Sequence, residues 1–118
     1  FRPETLQMIR RCHALLSTYR EAFRSDDPIP MEPTLTPGVF ANVFSGAERT
    51  VLTLYNARHR SALARVPLPA GTAVGTRVVL DAWNGIQRPC LGFGVGRYVN
   101  VPMSPRGVGC LVLAPAAP

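Results

Sequence analysis

Apolar residues recur every three or four positions near the start of the chain and every two positions through most of the remainder. In the first stretch Met8, Ile9, Cys12, Leu15, Leu16, Tyr19 and Phe23 fall on one side of a helix that turns about 100° per residue, with Gln7, Arg10, Ser17, Thr18 and Glu21 opposite. The spacing predicts one amphipathic helix from Pro3 to Phe23. Pro3 suits the first turn, where its missing N–H costs nothing, and Glu4 beside it favours the positive end of the helix dipole. Burying side chains of this size stabilises by about 1.5–3 kcal/mol each. The stripe is therefore expected to be a docking face.

The helix is followed by Ser25 to Pro37, with Asp26, Asp27 and prolines at positions 28, 30, 33 and 37. Each proline fixes φ, removes a donor and pushes the residue before it to extended geometry, which predicts a stiff, non-helical connector. Beyond it the period drops to two. Val39, Ala41 and Val43 alternate with Phe40, Asn42 and Phe44, and Val51, Thr53 and Tyr55 alternate with Leu52 and Leu54. These runs, joined by a glycine-containing turn at Ser45 to Arg49, predict a hairpin. Further strands are expected at Ala62 to Leu68, Arg77 to Trp83, Gly96 to Val101 and Val108 to Ala114. Asn84-Gly85, where both residues tolerate positive φ, marks a second hairpin turn. The fold class that follows is mainly β, an antiparallel β-sandwich of about six to eight strands preceded by one amphipathic α-helix and a Pro-rich connector. The corresponding segments are 1–24, 25–37 and 38–118.

At 118 residues the chain suits one domain with a real core. An apolar content of 47% argues against disorder. No apolar run approaches the length of a membrane span and no basic-then-apolar leader opens the chain, so a soluble protein without membrane partners is expected. The chain begins at Phe1 rather than Met, which reads as a processed product, a fragment or a trimmed chain. Its formal charge of +6 rests on arginine alone, because the sequence contains no lysine. The arginines are scattered rather than gathered among stacking aromatics, which makes nucleic acid an unlikely partner. The densest group is Arg58, Arg60 and Arg65 with His59, a candidate anion contact on a loop that solvation alone would also explain. The three cysteines, Cys12, Cys90 and Cys110, show neither CxxC spacing nor a disulfide framework. With no leader, they favour a reducing, cytoplasmic compartment.

Catalytic signatures are missing. His13 and His59 lack a second histidine at metal spacing, no serine lies in a Gly-x-Ser-x-Gly elbow, and Arg97 stands where the third glycine of a dinucleotide loop would follow Gly92 and Gly94. No metal or cofactor is expected. Of the seven carboxylates, Glu4, Glu21, Asp26, Asp27, Glu32 and Glu48 fall on the helix, connector or a turn. Asp81, in Asp81-Ala82-Trp83-Asn84-Gly85, suits a turn-building role better than acid–base chemistry. Trp83 and Tyr98 are candidates for a sugar-stacking platform.

The order of helix, proline-rich connector, Gly38-Val39-Phe40-Ala41-Asn42, Thr53-Leu54-Tyr55-Asn56, Leu80-Asp81-Ala82-Trp83-Asn84-Gly85 and the closing Pro105-Arg106-Gly107-Val108-Gly109-Cys110-Leu111-Val112-Leu113 resembles the carboxy-terminal region of TIM-barrel glycoside-hydrolase-like proteins. In that architecture a last barrel helix leads into a small antiparallel β-sandwich. The resemblance covers nearly the whole chain but includes no catalytic motif, because the catalytic carboxylates of such enzymes stand on barrel strands. It implies a non-catalytic accessory module serving domain packing, stability or assembly, with the parent protein a glycosidase. The partner it implies for the helix face is the preceding barrel or another protein chain. A homo-oligomer formed through the same face, an arginine-based anion- or nucleic-acid-binding module, and a carbohydrate-binding module are the alternatives.

Overall fold

The structure, a computed structural model, describes residues 2–24, 28–47 and 49–113. Asp26, Asp27, Glu48 and the end of the last expected strand at Ala114 lie outside the described residues. Two helices, α1 (Pro3–Thr18) and α2 (Arg20–Phe23), precede eight strands: β1 (Ile29–Pro33), β2 (Val39–Ser45), β3 (Thr50–Asn56), β4 (Ala62–Pro67), β5 (Val78–Asp81), β6 (Ile86–Pro89), β7 (Tyr98–Met103) and β8 (Val108–Leu113). One sheet has the order β1-β2-β3-β8-β5-β6 and the other pairs β4 with β7, all antiparallel.

The expected alternation builds the core. Val39, Ala41 and Val43 from β2, Leu52 and Leu54 from β3, Val79 from β5 and Leu111 and Leu113 from β8 meet Ala64, Val66, Val99, Val101 and Met103 of the smaller sheet. These inward faces are dry, and in β2, β4 and β7 the outward residues between them are half-buried or exposed. The reverse face of the large sheet carries a second cluster, in which Val51, Cys110 and Val112 receive Ala22 together with Leu15, Tyr19 and Phe23.

Two expectations need correction. The first is the uninterrupted helix, which breaks at Tyr19, where φ −110° and ψ 31° leave the helical region. Contacts beyond the break account for it: Phe23 sits edge-on to Phe44 with centroids 5.0 Å apart, Arg49 stacks on Tyr19, and the Glu21 carboxylate accepts the Ala47 N–H. Packing on the sheet overrides the helical period in this last turn.

The second correction concerns the connector, which contributes β1 to the sandwich. An edge strand needs ladder bonds on one side only, so Pro30 and Pro33 are tolerated there. Between Ile29 and Glu32 the register shifts, Met31 adopts φ 52°, and its N–H turns to the Asn42 Oδ1 at 2.9 Å. The prolines place a bulge on the edge without excluding the strand. No helix among the described residues is long and apolar enough to cross a membrane.

Candidate functional site

The apolar stripe divides between two surroundings. Leu15, Tyr19 and Phe23 pack on the outer face of the large sheet, whereas Met8, Ile9 and Leu16 remain 46–52% exposed, Cys12 is also exposed, and Leu6, outside the stripe, is 40% exposed. No residue of α1 is buried. Between this helix and the sheet lies a cleft of about 410 Å3, lined by Cys12, Leu15, Leu16, Phe23, Trp83 and Cys110 among others. The single turn of α2 anchors the pair, through Ala22 at 1% exposure and the Glu21 bond to the β2–β3 loop. Thus α2 belongs to the sandwich, and α1 projects from it.

Asp81 is wholly buried, and each of its oxygens is occupied. Oδ1 accepts the Asn84 N–H at 3.0 Å, and Oδ2 accepts Asn84 Nδ2 at 2.9 Å together with Arg88 Nε at 3.0 Å and Nη2 at 2.9 Å. Gly85, at φ 72°, completes the turn by donating its N–H to the Asp81 carbonyl. The carboxylate therefore builds the β5–β6 hairpin and pairs the strand it opens. No second carboxylate joins it, since the other described acids, Glu4, Glu21 and Glu32, are exposed on the helices and β1.

Trp83 and Tyr98 do not converge. Trp83 belongs to the cluster beneath the helices, with the Arg11 guanidinium 4.8 Å above its ring. Tyr98 precedes inward-facing Val99 and so lies on the outer face of the smaller sheet, where Arg65 covers its ring at 4.4 Å. A guanidinium thus occupies a face of each ring, and the two rings stand on opposite layers of the sandwich.

Arg65 is likewise separated from its expected companions. Arg58 and His59 share a loop with Arg60, and Arg106 joins them from the β7–β8 turn, donating its N–H to the Arg58 carbonyl at 2.9 Å. Arg106 Nη1 also lies 3.1 Å from the Tyr55 hydroxyl, and Nη2 lies 3.0 Å from His59 Nε2. His13 is exposed on α1. Among the described residues no three His, Cys, Asp or Glu side chains come together as a metal-binding group.

Two organising residues escaped the sequence reading. Asn56, 0% exposed, donates Nδ2 to the carbonyls of Arg60 at 2.9 Å and Ser104 at 3.0 Å and accepts the Arg58 N–H at 3.1 Å. Its signal was present in the alternation, which puts it on the apolar face with Leu52 and Leu54. Arg97 donates to four backbone carbonyls between Thr72 and Thr76, the shortest bond being 2.7 Å to Thr76. It pins one wall of a groove of about 640 Å3 whose rim carries the exposed Phe93 and Val74. Nothing local announces that role, since all four partners lie more than twenty residues away in sequence.

Burial, and behind it the negative charges of Asp81 and Cys12, push the Cys110 thiol up to about 12 from an ordinary 9.0. Burial also raises the Cys90 thiol, against the opposing pull of Arg97. Iodoacetamide at pH 8 is accordingly expected to modify exposed Cys12 about a hundredfold faster than Cys110, as peptide mass mapping would measure. The folded state holds the Cys110 proton more tightly than the unfolded chain. This contribution to stability is complete below pH 9.0 and disappears as the pH rises towards 12. Equal labelling rates would show that β8 opens freely.

No protein-family model matches the sequence, and no curated protein matches it. Solved structures do. An α-amylase from Anoxybacillus, described as representing a new glycosyl hydrolase subclass, is similar over 99% of this chain with a TM-score of 0.69 at 14% identity. A candidate α-N-acetylgalactosaminidase from Bacillus halodurans C-125 is similar over 75% of this chain with a TM-score of 0.57 at 12% identity. The chain spans 24% of the first and 21% of the second. The helix-plus-sandwich unit therefore has the fold of one part of a glycoside hydrolase.

Proposed function

We propose that this chain is a non-catalytic accessory module of a carbohydrate-active hydrolase, its first helix seated on a preceding barrel domain. The observation that carries the reading is the state of α1: it lies within the unit shared with the amylase, yet it leaves Leu6, Met8, Ile9 and Leu16 exposed, with Leu16 at the edge of an open apolar cleft. A helix of its length is marginal in water without packing along an apolar face. Seating those side chains on a further domain would supply that packing. The surroundings of Asp81 support the same reading, because a wholly buried carboxylate committed to Asn84 and Arg88 is out of reach of a glycosidic oxygen that an acid would have to protonate.

Hydrogen exchange on the isolated chain tests the assignment. Amides of α1 are expected to exchange about a hundredfold faster than those of α2 and β3, since little buries them. Aryl glycosides and starch should not be turned over. Protection of α1 equal to that of β3 would overturn the docking role. Hydrolysis lost on Asp81→Asn, in a variant that still folds, would overturn the non-catalytic one.

A further inference from the structure

At the end of the sandwich where β3 leaves the sheet and β8 enters it, cationic side chains gather on two loops. Arg58, His59 and Arg60 come from the loop after β3, Arg106 from the turn before β8, and the Tyr55 hydroxyl from β3 itself. Both loops are fixed from beneath by buried Asn56, which holds the Arg60 and Ser104 carbonyls and the Arg58 N–H. Arg106 is held at φ 54°, a backbone region that residues other than glycine rarely occupy. Among the described residues the one ion pair is Arg88 with Asp81, so no described carboxylate neutralises this cluster.

The hydrogen bonds fix the roles of the atoms. A guanidinium only donates, so His59 Nε2 must accept from Arg106 Nη2, which leaves the His59 proton on Nδ1. By the same logic the Tyr55 oxygen accepts from Arg106 Nη1, and its own proton is available to a further acceptor. Arg106, which keeps further N–H groups beyond these two bonds, and the Tyr55 proton thus supply donors on a preformed frame that His59 helps to hold, while Arg60 lies on the neighbouring loop and Arg58 Nη1 donates to the Pro37 carbonyl. We propose that Tyr55, His59 and Arg106 form a binding site for a tetrahedral oxyanion of the sulfate or phosphate class. The accumulated charge favours a dianion over a monoanionic carboxylate.

Neither the fold similarity nor the accessory role is needed for this inference.

Sulfate, a dianion at neutral pH, is the probe, titrated against chloride of equal ionic strength with backbone amide shifts as the readout. Sulfate is expected to bind about tenfold or more tightly than chloride, with shifts concentrated at residues 57–60 and 105–107. Arg106→Ala should weaken sulfate about tenfold and His59→Ala severalfold. Tyr55→Phe, which removes only a hydroxyl, provides a variant that leaves the strained turn untouched and should weaken binding severalfold. Methyl phosphate, bound comparably to sulfate, would assign the site to an esterified group; much weaker binding would assign it to the free anion. Sulfate binding no stronger than chloride, or unaltered by both Arg106→Ala and Tyr55→Phe, would overturn the proposal.

Discussion

Replacing Asp81 by alanine is expected to lower the stability of this protein by about 3 kcal/mol or more, because it removes one partner of a buried ion pair and leaves the other unmatched. The carboxylate is 0% exposed and accepts hydrogen bonds from the Asn84 backbone, the Asn84 side chain and two nitrogens of Arg88. Without it the turn loses the acceptor that holds Asn84, and Arg88 on the neighbouring strand is left facing an apolar gap. The Arg88 side chain retains 19% of its exposure and can swing towards water, which places the cost near the lower end of the range for fully enclosed pairs.

In urea the loss should appear as a midpoint lowered by about 1.5–2 M with the slope unchanged, the mark of a weaker native state rather than a different unfolded one. The pairing itself is isolated by a cycle with Arg88→Met. If the ion pair dominates, the double variant Asp81→Ala/Arg88→Met should be more stable than the sum of the single losses predicts. Strict additivity, or a loss below about 1 kcal/mol for Asp81→Ala alone, would mean that the Gly85 backbone bond suffices to hold the turn.

What the sequence made legible was whatever depends on period and turn chemistry. The hairpin of β2 and β3 follows from alternation around Gly46, the β5–β6 turn from Asn84-Gly85, and the inward face of the sandwich from the same alternation. What it concealed depends on residues far apart in the chain. The Arg106–His59 contact spans 47 positions, the Asn56–Ser104 bond 48, and the cover of Tyr98 by Arg65 needs the pairing of β4 with β7. A period of two assigns a residue to a face but not to a sheet, so Trp83 and Tyr98 read as neighbours although they lie on opposite layers. The prolines of β1 misled for a related reason. Their lost donors forbid a central strand, and only the assembled sheet shows that this one lies at an edge.

The division of the amphipathic stripe follows the same logic. A helical wheel shows which side chains share a face, and it cannot show that one part of the face packs on the sheet while the rest stays exposed. Packing of Phe23 on Phe44 and burial of Ala22 bind the last turn to the sheet, and the break at Tyr19 then points the earlier turns elsewhere. Leu15 lies at the division, touching the sheet cluster while lining the cleft. In the proposed role this arrangement would provide one footing on the module's own sandwich and one surface for a neighbour. It fits the proposed role better than a helix wholly absorbed into either.

Asn56→Ala is expected to cost about 2–4 kcal/mol, from three backbone groups that lose their partner together and at about 1 kcal/mol or more each. The carbonyls of Arg60 and Ser104 and the N–H of Arg58 all converge on this one amide, which is fully enclosed at the end of β3. For a chain of this size the change corresponds to a melting temperature lowered by about 8–15 °C. Asn56→Asp discriminates between packing and hydrogen bonding, because it preserves shape and the bond from the Arg58 N–H but turns two donors into acceptors facing carbonyl oxygens. It should be at least as damaging as alanine despite filling the same volume. Amide exchange should accelerate in both variants at residues 57–61 and 104–107 while β2 keeps its protection, since Asn56 ties two loops rather than the sheet. If Asn56→Asp were as stable as the parent chain, the amide would not be donating to those carbonyls, and the frame beneath Tyr55, His59 and Arg106 would have to be held by backbone bonds such as those of the Asn56, Ala57, Arg106 and Gly107 N–H groups.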